Sequence, residues 1–191
     1  QGERDSDRTA ESTGHEPVTP VSHYSGGEPA DIPPEIRTEL AVARAVSAPY
    51  HRVERAETDQ YGLPPAPAPL HECISAEDGH GAMGLHYINA AKLDADLDAT
   101  LPEVLVYEPT GNDRLRLVAL EYVVFEDAWK AEHGDTTPQL FGRDMTYVGD
   151  GNRYELPPFY QIHTWVWKNN PDGMFADHNP RVTCAEADTE H

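Results

Sequence analysis

Lysine is almost missing from this chain. Only Lys92, Lys130 and Lys168 occur, and arginine supplies the other basic residues. With 14 Lys+Arg against 34 Asp+Glu, the formal charge is −20 at pH 7. Neutralising phosphates takes a basic face, so this balance argues against nucleic acid as a partner. It argues equally against docking on an anionic membrane surface. No run approaches about 18 consecutive apolar residues, so no membrane-spanning helix is expected. Cysteine is limited to Cys73 and Cys184. Neither sits beside a base that would activate it. No GxSxG elbow is present for serine chemistry. An internal repeat is also lacking.

The acid is not concentrated in a tail. Residues 1–33 hold seven acids (Glu3, Asp5, Asp7, Glu11, Glu16, Glu28, Asp31) and two bases (Arg4, Arg8). That tail carries −5, and the rest of the charge is spread over the remaining residues. A self-repelling surface of this kind destabilises a compact state unless salt screens it. Abundant Asp and Glu with scarce Lys therefore leads us to expect a halophilic, archaeal source. Two cysteines with no CxxC spacing fit a structural disulfide better than a zinc or redox site. A Cys73–Cys184 bridge implies an exported protein, extracellular or at the cell surface. The chain begins at Gln1, not Met, as expected after removal of an export signal.

Residues 1–33 are rich in Gly, Ser, Thr, Pro and charge and have no apolar periodicity. They read as a disordered acidic spacer that can tether the domain to the cell surface. Residues 34–191 read as a single globular domain. Pro33 and Pro34 suit a first helical turn, and Ile36, Leu40, Ala43 and Val46 recur at helical spacing. Pro49 breaks this helix, and a second piece runs through Val53 and Ala56 towards Tyr61. Pro64, Pro65, Pro67 and Pro69 then form an extended connector. From Cys73 the pattern alternates. Strands are expected over 82–89, 103–108, 115–124, 145–148 and 159–168, with a short helix over 125–133 stopped by Gly134. The fold class is α+β: N-terminal helices followed by a curved antiparallel sheet or small barrel.

Side chains alternate faces along a strand. His86 falls with Gly84 and Ile88, and Glu108 with Val104 and Val106. Glu121 falls with Leu117, Ala119 and Val123, and His163 with Phe159, Trp165 and Trp167. Each strand thus puts one histidine or carboxylate on an otherwise apolar face. A carboxylate there is costly unless paired, protonated or bound to metal. His86, Glu108, Glu121 and His163 are therefore the candidate ligands of one divalent transition metal, with Zn, Fe, Mn and Cu all suited to nitrogen and oxygen donors. Three alternatives stand beside this. Glu121 can pair with an inward arginine, Glu108 can reach water at its strand end, and His163 can be a hydrogen-bonded core histidine.

Weaker candidates remain. Asp94, Asp96 and Asp98 alternate like half an EF-hand loop, but the required Gly and Glu are missing. Asp78-Gly79-His80-Gly81 reads as a turn, with His80 as a potential extra ligand. Asp177 and His178 read as a solvated loop or as a polar pair at a cavity mouth.

The segments Gly81-Ala-Met-Gly-Leu-His-Tyr87, Pro102-Glu-Val-Leu-Val-Tyr-Glu-Pro109, Leu117-Val-Ala-Leu-Glu-Tyr122 and 163–177, with Asn179-Pro180 and Cys184, resemble a widespread family of exported bacterial and archaeal proteins. The resemblance covers roughly residues 36–184. It implies export and a shared fold, and it supplies no activity and no catalytic residues. A cupin barrel is similar in architecture only, because Gly84 stands where the first histidine of its metal motif belongs.

Three functions are compatible with these residues. The first is an exported metal-binding protein, extending to a metalloenzyme acting on a small molecule. The second is a metal-free module whose pocket is lined by Phe159, Tyr160, Trp165 and Trp167. The third is a structural protein displayed on the spacer.

Overall fold

A computed structural model of the chain describes residues 32–187. The spacer expected over 1–33 therefore lies outside the described residues, apart from Ile32 and Pro33. Ile32 is buried in the core, so the domain starts at this residue at the latest.

Helix α1 (Pro34–Ser47) opens with prolines at its first turn and buries Leu40, Ala43 and Ser47. Pro49 ends it in a 3₁₀ turn, after which α2 (Val53–Thr58) buries Ala56. The strands follow as β1 (Ile74–Ser75), β2 (Ala82–Ile88), β3 (Val104–Pro109) and β4 (Leu115–Phe125). Helix α3 (Glu126–His133) stops at Gly134. The short strands β5 (Gln139–Leu140) and β6 (Arg143–Asp144) form their own pair. Next come β7 (Thr146–Val148) and β8 (Phe159–Thr164). Six strands make one curled antiparallel sheet in the order β1-β2-β3-β4-β8-β7, half of a barrel. The class is α+β, as the residue pattern indicated.

The two faces of the sheet carry different cores. One packs Leu85, Tyr87, Leu105, Tyr107, Leu120 and Tyr122 against the helical residues Leu40, Ala43 and Ala56. Two of its tyrosine hydroxyls donate to backbone carbonyls, Tyr107 to Tyr50 and Tyr122 to Ala99. The other face collects Val104, Val106, Ala119, Val123, Phe159 and Trp165 under Val182 and Cys184. The C-terminal segment lies there because its backbone pairs with β2, Ala82 and Asn179 exchanging both hydrogen bonds. Trp165 ties the same segment down by donating its indole N–H to the Ala176 carbonyl at 2.6 Å. The disulfide Cys73–Cys184 then closes it covalently.

Two irregularities change which face a residue reaches. Between Val106 and Tyr107 the register with β4 slips, leaving Val118 as an extra residue. The Val118 carbonyl accepts from the N–H groups of both Trp167 and Lys168, which folds the chain back once β8 has ended. At Gly84 the backbone has φ +121°, and a Cβ there would sit 2.5 Å from the Tyr107 carbonyl oxygen. Only glycine allows β2 to approach β3 so closely. Gly84→Ala is therefore expected to cost about 2–4 kcal/mol from backbone strain and overpacking. Thermal melting reads this as a fall of roughly 5–15 °C. A melting point within 2 °C of the parent would show that β2 can shift freely.

Candidate metal centre

Glu121 and His163 lie directly opposite one another on β4 and β8. His86 arrives from β2 on the far side of β3. It pairs with Val106, which faces Ala119, two residues from Glu121 on β4. Val104 and Val106 occupy the intervening strand and are short, so the imidazole and the carboxylate meet above them. Glu121 Oε2 is 3.5 Å from His86 Nε2, and Glu121 Oε1 is 4.0 Å from His163 Nε2. One ligand atom from each of the three residues falls within 4.8 Å of the others. All three residues are buried, His163 completely. Ligand bonds of about 2.0–2.2 Å require donor separations of roughly 3–4 Å. Small side-chain rotations reach that from here.

The electrostatics of the cluster are unusual for a core. Glu121 has no Lys or Arg partner among the described residues. Burial pushes its pKa up to about 8, with Asp177 and Glu103 adding to the rise. Burial also pushes His86 down to about 4, against a smaller pull from the Gly84 backbone. His163 is lowered as well, by burial first and then by its two histidine neighbours, His86 and His178. Both imidazoles are thus neutral, with lone pairs free for coordination. Neither ring nitrogen of His163 has a hydrogen-bond partner, nor does Nδ1 of His86. Buried polar atoms rarely stay unpaired. A divalent cation among the three residues would take one nitrogen of each imidazole together with the carboxylate, and so would give His163 Nε2 a partner.

The sequence-derived candidates divide cleanly. His86, Glu121 and His163 come together. Glu108 does not join them, because it lies at the other end of β3, opposite Arg116, whereas Val104 is the residue opposite Glu121. Lys168 Nζ lies 2.6 Å and 2.7 Å from the two Glu108 oxygens, and Arg116 is 3.8 Å away. His80 pairs with Asp172 at the surface. Asp94 and Asp98 accept from the backbone of their own loop. The four aromatics expected in one pocket are dispersed. Phe159 and Trp165 share the cluster's face, with Trp165 stacked 6.2 Å from His163. Tyr160 points the other way, against Tyr147. β8 ends at Thr164 rather than continuing to 168. Trp167 therefore packs among the helices, beneath Arg44 and against His51, and donates to Ser47.

Other functional residues had a faint signal or none. Asp177, on the loop that Trp165 holds down, places Oδ1 3.9 Å from His163 Nδ1. Met83 joins His86 in lining a cavity, although strict alternation would separate them. The backbone at Gly84 breaks that alternation. Tyr154 and Leu156 line the same cavity from a loop with no periodicity to reveal them.

Glu103 is a buried acid outside the cluster, and it accepts from the Val123 N–H at 3.1 Å. Burial raises its pKa from 4.5 to about 8. The folded chain therefore keeps a proton that the unfolded chain loses. The stabilisation is complete below about pH 4.5 and disappears as the pH rises to about 8. Glu103→Gln, which stays neutral, is expected to match the parent at pH 4 and to exceed it at pH 9 by a few kcal/mol. Urea unfolding at both pH values checks this, and equal stabilities at pH 9 would refute it.

No protein-family model, curated protein or solved structure matches the chain.

Proposed function

We propose that His86, Glu121 and His163 hold a single divalent transition-metal ion, and that this centre is the working part of an exported protein from a salt-adapted archaeal source. The observation that carries the reading is the grouping of a buried carboxyl that has no Lys or Arg partner among the described residues with imidazole nitrogens that lack partners. Two histidines and one carboxylate form a ligand set for iron or zinc that leaves coordination positions open. Open positions suit Lewis-acid chemistry or activation of a bound small molecule. The disulfide supports export, since such bonds persist in oxidising compartments. The charge of −20 supports a high-salt habitat, and the quoted segments support membership of the exported family. Asp177 is placed to orient His163 through Nδ1, the role that carboxylates beside metal-bound histidines commonly play.

The metal-free alternative is less well supported. The cavity on this face measures about 70 Å³, whereas pockets for drug-sized ligands run to about 300–1,000 Å³. Elemental analysis of protein purified without chelator, then reloaded with Fe(II), Zn(II) or Mn(II), tests the proposal. One ion per chain is expected. Binding that is unchanged in Glu121→Ala and His163→Ala would overturn it.

A further inference from the structure

The cluster opens on one side into a cavity of about 70 Å³. Met83, Ile88, Val104, Val123, Leu156 and Phe159 form much of its wall, and its polar side chains are His86, Glu121, Gln161 and Tyr154. Beyond it lies a larger groove of about 540 Å³, edged by Asn152, Arg153, Asp177 and His178. Met83, Tyr154 and Gln161 line both spaces and so form the partition between them. Tyr154 braces that partition by donating its hydroxyl to the Met83 sulfur at 3.7 Å.

Size and polarity define what fits. An apolar cavity of about 150 Å³ accommodates benzene, with six heavy atoms. Half that volume takes about three. No lysine or arginine lines the inner cavity, so a phosphate, sulfate or carboxylate group would lose its hydration with no side-chain cation to replace it. Resting on the metal reading above, we propose that this cavity receives a neutral molecule of two or three heavy atoms at the open metal positions. Dioxygen is one member of that class. The molecule enters from the groove past Met83, Tyr154 and Gln161.

Nitric oxide is the probe. The Fe(II)-loaded protein, prepared under argon with its iron content measured, is titrated with nitric oxide and followed by electron paramagnetic resonance. A bound iron–nitrosyl signal is expected. Imidazole, with five heavy atoms, and inorganic phosphate are expected to compete at least 100-fold less well. Val123→Phe and Leu156→Phe, which fill the cavity from a strand and from a loop, are expected to keep their iron and weaken nitric oxide binding at least 10-fold. Xenon binding to the metal-free chain, read by ¹²⁹Xe nuclear magnetic resonance, reports on the cavity without any metal. It is expected in the parent and reduced in both variants. Full iron loading without nitric oxide binding, or with imidazole binding equally well, overturns the cavity proposal and leaves the metal site standing. Xenon binding without iron loading instead overturns the metal reading, and the assignment of metal-bound gas falls with it.

Discussion

Replacing His163 with leucine is expected to make the metal-free protein more stable while sharply weakening its metal binding. The imidazole is fully buried, and neither nitrogen is paired. An unsatisfied buried polar group costs about 1–3 kcal/mol. Leucine is similar in volume and carries no polar atom, so the cost disappears with little change in packing. At about 2–4 °C per kcal/mol for a chain of this size, the melting point should rise by several degrees. Metal binding should move the other way. Structural zinc sites are worth about 10–16 kcal/mol over four ligands, or roughly 2.5–4 kcal/mol each. Losing one ligand should therefore weaken binding by about 100- to 1,000-fold. Differential scanning calorimetry with and without metal reads both effects. A core histidine kept for packing behaves differently: its replacement lowers stability and leaves metal response untouched. That outcome would remove the basis for the centre.

The second large effect concerns the C-terminal segment over the cluster. Cys73 and Cys184 are 111 residues apart in sequence and joined in the structure. In the chain-entropy model, a loop of that length contributes about 5 kcal/mol by restricting the unfolded state. The bridged residues pack in the same core as Val106, Trp165 and Val182. Cys73→Ala combined with Cys184→Ala is expected to lower the melting point by roughly 10–20 °C at constant high salt. Full retention of stability would mean that the Ala82–Asn179 backbone pairing alone holds the segment. Metal affinity should fall as well, because Asp177 lies on the part of the segment that covers His163.

The fold could be read in advance because apolar residues in β2, β3, β4 and β8 alternate or run continuously between turn residues. The three clustered ligands stood out as polar exceptions on apolar faces. Glu108 carried the same signature and belongs elsewhere. It lies opposite Arg116, at the other end of β3 from Glu121, and that placement depends on how two strands pair, which neither strand's own pattern reveals. Trp167 was misplaced because β8 stops at Thr164, where backbone hydrogen bonds to Val118 override a continuing strand pattern. Met83 shows the limit of parity itself, since one glycine at positive φ redirects the preceding side chain. The loop residues Tyr154 and Leu156 follow no period and could be placed only by tertiary contacts.

The three proposed ligands sit on β2, β4 and β8 and have no local spacing in common, which bears on how an ion and the fold would depend on each other. In an unfolded chain His86, Glu121 and His163 lie far apart in sequence, so no short segment holds two of them. Metal should then bind the native state almost exclusively, so its whole binding energy adds to stability. At a free-metal concentration 1,000 times the Kd, that addition is about 4 kcal/mol. Under the proposed metal reading the ion would act as a checkpoint on assembly, retained only by molecules in which all three strands have found their register.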